Sequence, residues 1–143
     1  MTGALSSETL HATTVAIDGR AVLLSGASGA GKSDLALRLI DRGATLVSDD
    51  YTLVERIDVG LRASPPATIS GRMEVRGLGI VAMPYVQNAP VALMVDLSAP
   101  VDRLPMTPQH RTIAGLDVPL VQLAPLEASA PIKVELALRA IAA

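Results

Sequence analysis

The hydrophobic pattern at the start of the chain predicts two strands joined by a tight turn. Residues 13–17 and 21–24 are short apolar runs. The Asp18-Gly19 pair between them is typical of a two-residue hairpin turn. We therefore expect an antiparallel hairpin here.

Residues 33–42 change to a helical period. Their polar side chains Asp34, Arg38, Asp41 and Arg42 recur at i, i+4, i+7 and i+8, and leucines occupy the opposite side. Gly43 follows as a natural C-terminal stop. The pattern predicts an amphipathic helix over 33–42.

The remaining apolar stretches are short and predict strands. They cover residues 44–48, 51–56, 91–97 and 116–123. Pro119 interrupts the last stretch and favours a position at a sheet edge. Three prolines predict a flexible loop over 100–109, and His110 with Arg111 is interpreted as solvated loop without a function.

Two further segments complete the prediction. Residues 62–71 are expected to form a loop or a short strand, because Pro65-Pro66 interrupts them. Residues 129–142 predict a closing helix with Pro131 in its first turn and a Glu135–Arg139 pair at i, i+4.

Composition narrows the class of protein. The 143 residues amount to about one domain, half of them are apolar, and 18% are charged. The lack of cysteine excludes disulfides, thiolate catalysis and cysteine-based zinc sites. A net charge of −2 and the lack of Phe and Trp argue against a basic nucleic-acid module or a base-stacking platform. We find no linker and predict a single domain over residues 1–143.

Membrane and export signals are also missing from the pattern. The longest wholly apolar run is 91–95, far short of the ~18 residues that a spanning helix needs. Residues 1–8 contain neither the basic nor the apolar region of a secretory signal. We expect a cytoplasmic protein with no membrane or nucleic-acid partner.

A glycine-rich segment between the second strand and the first helix carries the strongest chemical signal. It matches G-x-x-x-x-G-K-[ST] in full and reads Gly26-Ala27-Ser28-Gly29-Ala30-Gly31-Lys32-Ser33. Glycines let several backbone N–H groups converge on a phosphate, and the helix N-terminus adds partial positive charge. Lys32 can reach the β- and γ-phosphates, and the Ser33 hydroxyl can ligate Mg²⁺. The segment predicts a nucleotide-phosphate site.

Magnesium–nucleotide chemistry also needs a carboxylate at a neighbouring strand end, and two candidates are present. Asp96 follows an apolar strand, and Asp49-Asp50 follows another. Adjacent strand residues point to opposite faces, so both aspartates reach one site only if the strand ends or bulges there. Such a pair could divide the work, one carboxylate holding a metal and the other handling a proton.

Together with other segments, the glycine-rich loop and the aspartate pair make the sequence resemble the catalytic domain of the bacterial HPr kinase/phosphorylase family. The resemblance is carried by four segments in order, at residues 10–12, 26–33, 47–50 and 74–80. The last, Glu74-Val75-Arg76-Gly77-Leu78-Gly79-Ile80, is the most specific. The match covers residues 10–100 and fades after Arg103.

The resemblance implies an ATP- and Mg²⁺-dependent protein-serine kinase acting on HPr, a phosphocarrier of the sugar phosphotransferase system. Members also reverse the reaction by phosphorolysis. The implied fold is an α/β, P-loop-containing kinase domain similar to phosphoenolpyruvate carboxykinase, a mixed sheet with flanking helices. The family forms hexamers, so a homo-oligomer is expected. This chain looks like a short version without the family's N-terminal domain, and its short C-terminal region leaves open whether phosphorolysis is retained.

The resemblance also implies roles for individual residues. Asp49 would be the base that takes the serine proton and the acid that returns it, and His11 and Arg103 would be catalytic partners. The loop 26–33 would bind the nucleotide phosphates. The metal would be supported by Ser33, Asp50 and Glu74, and the signature loop would contain Glu74, Arg76, Gly77 and Gly79.

Two other functions remain open from the residues themselves. One is a small-molecule kinase, although no obvious lid or arginine-rich segment is visible. The other is a regulatory module that senses a nucleotide without transferring its phosphate.

Overall fold

The computed structural model describes residues 6–142, so most of the segment 1–8, where no secretory signal was found in the sequence, lies outside the described residues. Two α-helices, α1 (Lys32–Asp41) and α2 (Ala130–Ala142), accompany a 3₁₀ turn at Ala67–Ile69. The strands are β1 (Ser7–Leu10), β2 (Ala12–Ile17), β3 (Arg20–Ser25), β4 (Thr45–Ser48), β5 (Thr52–Ile57), β6 (Gly60–Ser64), β7 (Arg72–Val75), β8 (Gly79–Ala82), β9 (Ala89–Asp96), β10 (Gln109–Ile113) and β11 (Leu116–Gln122).

Among residues 6–142, nine strands form one mixed sheet, and β7 and β8 form a separate hairpin. The main path runs β1-β5-β6-β9-β3-β2-β4, and β11 joins β9 and carries β10. The β3–β9 and β9–β11 pairs are parallel, and the other pairs are antiparallel. The predicted mixed sheet is confirmed.

Alternation along the central strands divides the core between two faces. On β3, Val22 and Leu24 face one apolar cluster and Ala21 and Leu23 face the other. The first cluster is closed by buried residues of both helices, and the second by residues of β5, β6 and β10. Both described helices therefore cover the same face of the sheet. The sequence prediction of flanking helices did not specify which face each helix would cover.

The predicted hairpin and first helix are confirmed. Asp18 and Gly19 have φ values of 51° and 78°, the left-handed pair that a tight two-residue turn requires. Helix α1 begins one residue earlier than predicted, at Lys32, and ends at Asp41.

Other predictions need correction. Strand β1 has no apolar run to reveal it, and β10 contains His110 and Arg111, so their interpretation as loop is wrong. Pro119 lies opposite His110, and β10, not β11, is the outer strand of this pair. The side chain of Glu135 pairs with Arg42, the residue just after α1, at 3.0 and 2.7 Å, instead of the expected Arg139.

Neither helix within residues 6–142 has the length and apolar character needed to cross a bilayer.

Candidate functional site

The glycine-rich loop, residues 26–31, connects the end of β3 to the start of α1. Close packing explains its first glycine, because a Cβ at Gly26 would lie 2.9 Å from Ser98 Oγ. Gly31 caps α1 with a φ of 102°, and a Cβ there would also meet Pro125 at 3.2 Å. A strand, a glycine-rich loop and a helix in this order are the general construction of a phosphate-binding loop.

Lys32 folds back over this loop. Its side chain is 5% exposed, and Nζ donates to the carbonyl oxygens of Gly26 at 2.8 Å and Ala27 at 3.3 Å. The ammonium also lies 3.9 Å from Asp50 Oδ1. A buried cation is thereby held at the mouth of the loop, beside its backbone amides.

The Asp49-Asp50 pair lies where β4 has just ended, at Ser48. The β2–β4 register shifts between Thr14 and Val15, and Asp50 has a φ of 68°. The strand end and the left-handed residue turn both carboxylates toward the loop. Both aspartates can therefore reach one site, because the strand ends directly before them.

Asp49 is the buried member of the pair, at 8% exposure. Its Oδ1 accepts from Ser33 Oγ at 2.6 Å and from Thr13 Oγ1 at 3.1 Å. Its Oδ2 accepts from the backbone N–H of Glu74 at 3.0 Å. Both carboxylate oxygens are thus engaged, one of them with the first turn of α1.

Asp50 is the open member, with a side chain that is 51% exposed. Its Oδ1 lies 2.8 Å from His11 Nε2, and His11 Nε2 is 3.4 Å from Lys32 Nζ. The His11 ring stacks on Tyr51, with centroids 5.0 Å apart and planes at 20°. A carboxylate, an imidazole and an ammonium therefore converge at the edge of the loop.

Glu74 belongs to β7, whose hairpin with β8 turns through Arg76, Gly77 and Leu78. Gly77 and Gly79 have φ values of 91° and 93°, so the signature loop is a tight turn with left-handed glycines. The Glu74 backbone is tied to Asp49, while its side chain and that of Arg76 are exposed. The hairpin is attached to the site through its main chain.

Asp96, the competing acidic candidate, ends β9 opposite Ser25. Its Oδ1 accepts from the backbone N–H of Ser98 at 2.8 Å, and Ser98 Oγ accepts from the Ala27 N–H at 3.1 Å. Asp96 acts as a strand-end cap that supports the loop indirectly. Contact with Ser33 and Lys32 distinguishes the Asp49-Asp50 pair from it.

Arg103 lies in the exposed connection between β9 and β10. Within residues 6–142 its guanidinium makes no side-chain hydrogen bond or ion pair, so the structure does not bring it to the other predicted residues. Two contributors were not predicted, Thr13 and the stacked ring of Tyr51. Thr13 could have been noticed in the sequence because it is a polar residue in the apolar stretch 13–17, and in the structure it is fully buried.

The donor chemistry of the site suits a hard cation. Ser33 and Asp49 offer adjacent oxygens, the ligand type that Mg²⁺ prefers. Among the described residues, no three His, Asp or Glu side chains gather into a ready-made metal site. Mg²⁺ bound with nucleotide takes only one or two protein carboxylates, so the two oxygens fit that mode.

The site therefore has the parts of a phosphate-binding α/β protein: a loop of amides, a buried lysine and paired carboxylates. Comparison with known proteins refines this class. The family model of the HPr Serine kinase C-terminal domain matches residues 4–140, and the chain belongs to this family.

Individual relatives agree with the family match. The HPr kinase/phosphorylase of Clostridium novyi is 46% identical over 81 residues, which cover 56% of this chain and 26% of that protein. The one from Clostridium beijerinckii is 35% identical over 127 residues, covering 80% and 42%. The chain thus spans less than half the length of these curated relatives.

A solved structure, the Hpr(Ser) kinase/phosphatase from Coxiella burnetii, superimposes with a TM-score of 0.77 at 30% identity. The match covers 93% of this chain and 89% of that one. The mixed α/β architecture is therefore shared with a family member over nearly the whole chain.

Proposed function

We propose that this chain is an ATP- and Mg²⁺-dependent protein-serine kinase that phosphorylates an HPr-type phosphocarrier. The names of its relatives support the substrate, since they are HPr kinases. The observation that carries the proposal is the convergence of Lys32, His11 and Asp50 at the mouth of the glycine-rich loop. That group combines a phosphate ligand with a candidate base.

The loop and Lys32 would hold the phosphates of the nucleotide. Backbone amides and the N-terminus of α1 favour anions there, and Lys32 Nζ can exchange its two carbonyl acceptors for phosphate oxygens. Positioning and charge neutralisation supply most of the catalysis in phosphoryl transfer. The site is built mainly for those two tasks.

The contacts support a different division of roles between the two aspartates from the one that the resemblance implied. Asp49 is buried, shares a 2.6 Å hydrogen bond with Ser33 and has both oxygens engaged. We therefore assign Asp49, with Ser33, to the Mg²⁺ side. Glu74 would also help to hold Mg²⁺, because its backbone is hydrogen-bonded to Asp49 and its side chain is exposed.

Asp50 would then be the general base. Its half-exposed carboxylate can be approached by an acceptor hydroxyl, whereas the Asp49 carboxylate is buried beneath Thr13, Ser33 and the Glu74 backbone. His11 Nε2 and Lys32 Nζ lie 2.8 and 3.9 Å from Asp50 Oδ1 and fix the position of this carboxylate beside the loop. In this arrangement His11 orients the base and faces the transferred phosphoryl group.

Several finer features stay part of the proposal. They are a phosphoenolpyruvate-carboxykinase-like P-loop fold, a homo-oligomer of the hexameric kind, a cytoplasmic location, a catalytic Arg103 and reversal by phosphorolysis. Arg103 would have to approach the site through movement of its exposed loop.

The test is direct. The purified chain is incubated with HPr, ATP and Mg²⁺, and a new phosphoserine is located by mass spectrometry. Asp50→Asn serves as the inactive control and Arg139→Gln, in α2 away from the loop, as the active one. Nucleotide binding without phosphoserine would support a sensing module instead, and transfer to a small molecule alone would indicate the other kinase class.

A further inference from the structure

The segment between β11 and α2, residues 123–129, lies against the glycine-rich loop. A Cβ at Gly31, the last glycine of the loop, would meet the side chain of Pro125 at 3.2 Å and Leu126 Cδ2 at 3.5 Å. Leu126 is nevertheless 77% exposed. A single exposed leucine is ordinary on a protein surface. This one is distinguished by its position, because it borders the loop where the nucleotide phosphates are proposed to bind.

The segment is held in this position by α1. The Arg38 guanidinium donates to the carbonyl oxygen of Pro125 and, at 3.1 Å, to that of Glu127. Asp34, one turn earlier on the helix, accepts from Arg38 Nε at 3.1 Å. The backbone on both sides of Leu126 is therefore fixed before a ligand binds, so a contact with this side chain costs little conformational entropy.

The β11–α2 segment and the paired aspartates lie on different sides of α1. Ser33 donates to Asp49, so its side of the helix faces the carboxylates. Asp34 and Arg38 follow Ser33 by about 100° and 140° around the helix axis, and Arg38 contacts the segment. The glycine-rich loop therefore has two separate flanks, one with the carboxylates and one with the segment.

A nucleotide bound for transfer needs both flanks. Its terminal phosphate must face the acceptor, at Asp50 and His11, so its ribose and base leave the loop in another direction. The N–H groups of Ser33 and Asp34, in the first turn of α1, have no intrahelical acceptor and can bind further phosphate oxygens. This row of donors leads from the carboxylate flank toward the flank with Leu126.

The apolar faces of a base need an apolar surface beside the loop. The chain contains neither Phe nor Trp, and of its two tyrosines Tyr51 stacks on His11 and Tyr85 lies over Gly71. The border of the loop near Gly26 carries the polar side chains of Asp96 and Ser98. The aliphatic surface of the β11–α2 segment is therefore the one that suits a base.

We infer that Pro125 and Leu126 form the subsite for the ribose and base of the nucleotide, with Leu126 packed against the base. Arg38 is a positioning residue that holds the segment. The inference rests on the proposed function, because it takes the loop to bind a nucleotide. Leu126 offers aliphatic carbon and no hydrogen-bonding group, so it contacts either purine without reading its edge. The subsite therefore adds affinity for ATP and GTP alike.

The experiment compares ligands with and without a base. ATP, GTP and inorganic tripolyphosphate are titrated into the full chain with Mg²⁺ at constant ionic strength, and binding is measured by calorimetry. Tripolyphosphate has the phosphate chain but neither ribose nor base. Leu126→Ala should weaken ATP and GTP binding by about five- to tenfold, because less apolar surface is covered, and should leave tripolyphosphate affinity unchanged.

Matched variants separate the contributions. Leu136→Ala removes the same side chain from an exposed position on α2 and should bind all three ligands as the unchanged protein does. Leu126→Met keeps the apolar volume and should stay within about twofold. Arg38→Lys keeps the charge but loses the planar fork that reaches two carbonyls, so it should weaken nucleotide binding and spare tripolyphosphate.

The outcomes distinguish the two proposals. If ATP binds the unchanged protein and Leu126→Ala equally well, the base subsite is wrong and the kinase proposal stands. The subsite is also wrong if Leu126→Ala weakens tripolyphosphate as much as ATP, because Leu126 would then act on the loop itself. If the unchanged protein binds none of the three ligands, the kinase proposal falls and the subsite falls with it.

Discussion

Two neighbouring aspartates with the same side chain have opposite environments in this protein. Asp49 is enclosed by Thr13, Ser33 and the backbone of Glu74, and Asp50 faces the solvent beside His11. The left-handed φ of 68° at Asp50 separates them by aiming the second carboxylate outward from the strand end. Their environments give these residues distinct chemistry.

We expect Asp50→Asn to abolish phosphoryl transfer while leaving Mg·ATP binding close to that of the unchanged protein. Loss of a general base costs about 10²–10⁴-fold in rate. Asp49→Asn should instead weaken Mg²⁺-dependent nucleotide binding. Single-turnover transfer and nucleotide titrations with and without Mg²⁺ measure the two effects separately, and the opposite pattern would restore Asp49 as the base.

Tyr51 gives a second prediction at this scale. Its ring stacks on His11 at 5.0 Å, and stacked aromatic pairs contribute about 0.5–1.5 kcal/mol beyond their buried area. Tyr51→Ala should therefore lower kcat by up to about tenfold through a less ordered His11, with Mg·ATP affinity unchanged. Tyr51→Phe keeps the ring and should retain activity. Equal loss in both variants would show that the hydroxyl, not the stack, matters.

The sequence reveals the glycine-rich loop and the aspartate pair because both are local patterns. It does not reveal which aspartate is buried, since that depends on Thr13 from β2 and on the β7 backbone. It also gives no sign of the Tyr51–His11 stack, which joins residues forty positions apart.

At the scale of elements, the secondary-structure prediction was accurate where the apolar pattern is strong. The Asp18-Gly19 hairpin and α1 have clear periods and were predicted within one or two residues. Strand β10 reads Gln109-His110-Arg111-Thr112-Ile113 and exposes its first four side chains, so it has no apolar face to detect. It is a strand because β11 pairs with it along its whole length.

The contact between the end of α1 and helix α2 also cannot be predicted from local sequence patterns. Arg42, just after α1, donates two hydrogen bonds to Glu135 on α2, ninety-three residues away. The hydrogen bonds from Arg42 lower the pKa of Glu135 from its ordinary value of 4.5; burial opposes this shift, and the charges of Arg42 and Arg139 add to it.

This pair predicts an acid dependence of stability. A carboxyl whose pKa is lower in the folded state stabilises the protein above its unfolded pKa, and that contribution is lost as pH falls through the folded value. Glu135→Gln should thus be less stable than the unchanged protein at pH 7, and the difference should shrink below pH 4.5. Urea unfolding at several pH values measures it. Arg42→Gln should flatten the same difference, and a constant gap at all pH values would contradict the assignment.

At the scale of the whole molecule, the layers explain where the site lies. The helices cover one face, β5, β6 and β10 close the other, and the loop emerges where the parallel strands β3 and β9 end. Such strand ends are where α/β sheets commonly bind ligands. The nucleotide would therefore bind to loops fixed by the central core, and its binding should be felt by the global unfolding transition.

That coupling can be measured as a thermal shift. A ligand present at a hundred times its Kd stabilises a folded protein by about 2.7 kcal/mol. For a chain near this length each kcal/mol raises Tm by roughly 2–4 °C, so saturating Mg·ATP should raise it by about 5–10 °C. Removing Mg²⁺ with EDTA should reduce the shift.

Lys32→Ala provides the decisive comparison. Lys32 is buried and donates to two loop carbonyls, so its loss also lowers the Tm of the free protein. Each variant is therefore compared with itself, with and without Mg·ATP. Lys32→Ala should lose most of its shift, whereas Arg139→Gln should keep all of it. A full shift in Lys32→Ala would mean that the nucleotide binds elsewhere, because the loop without its ammonium has lost the charge that holds the phosphates.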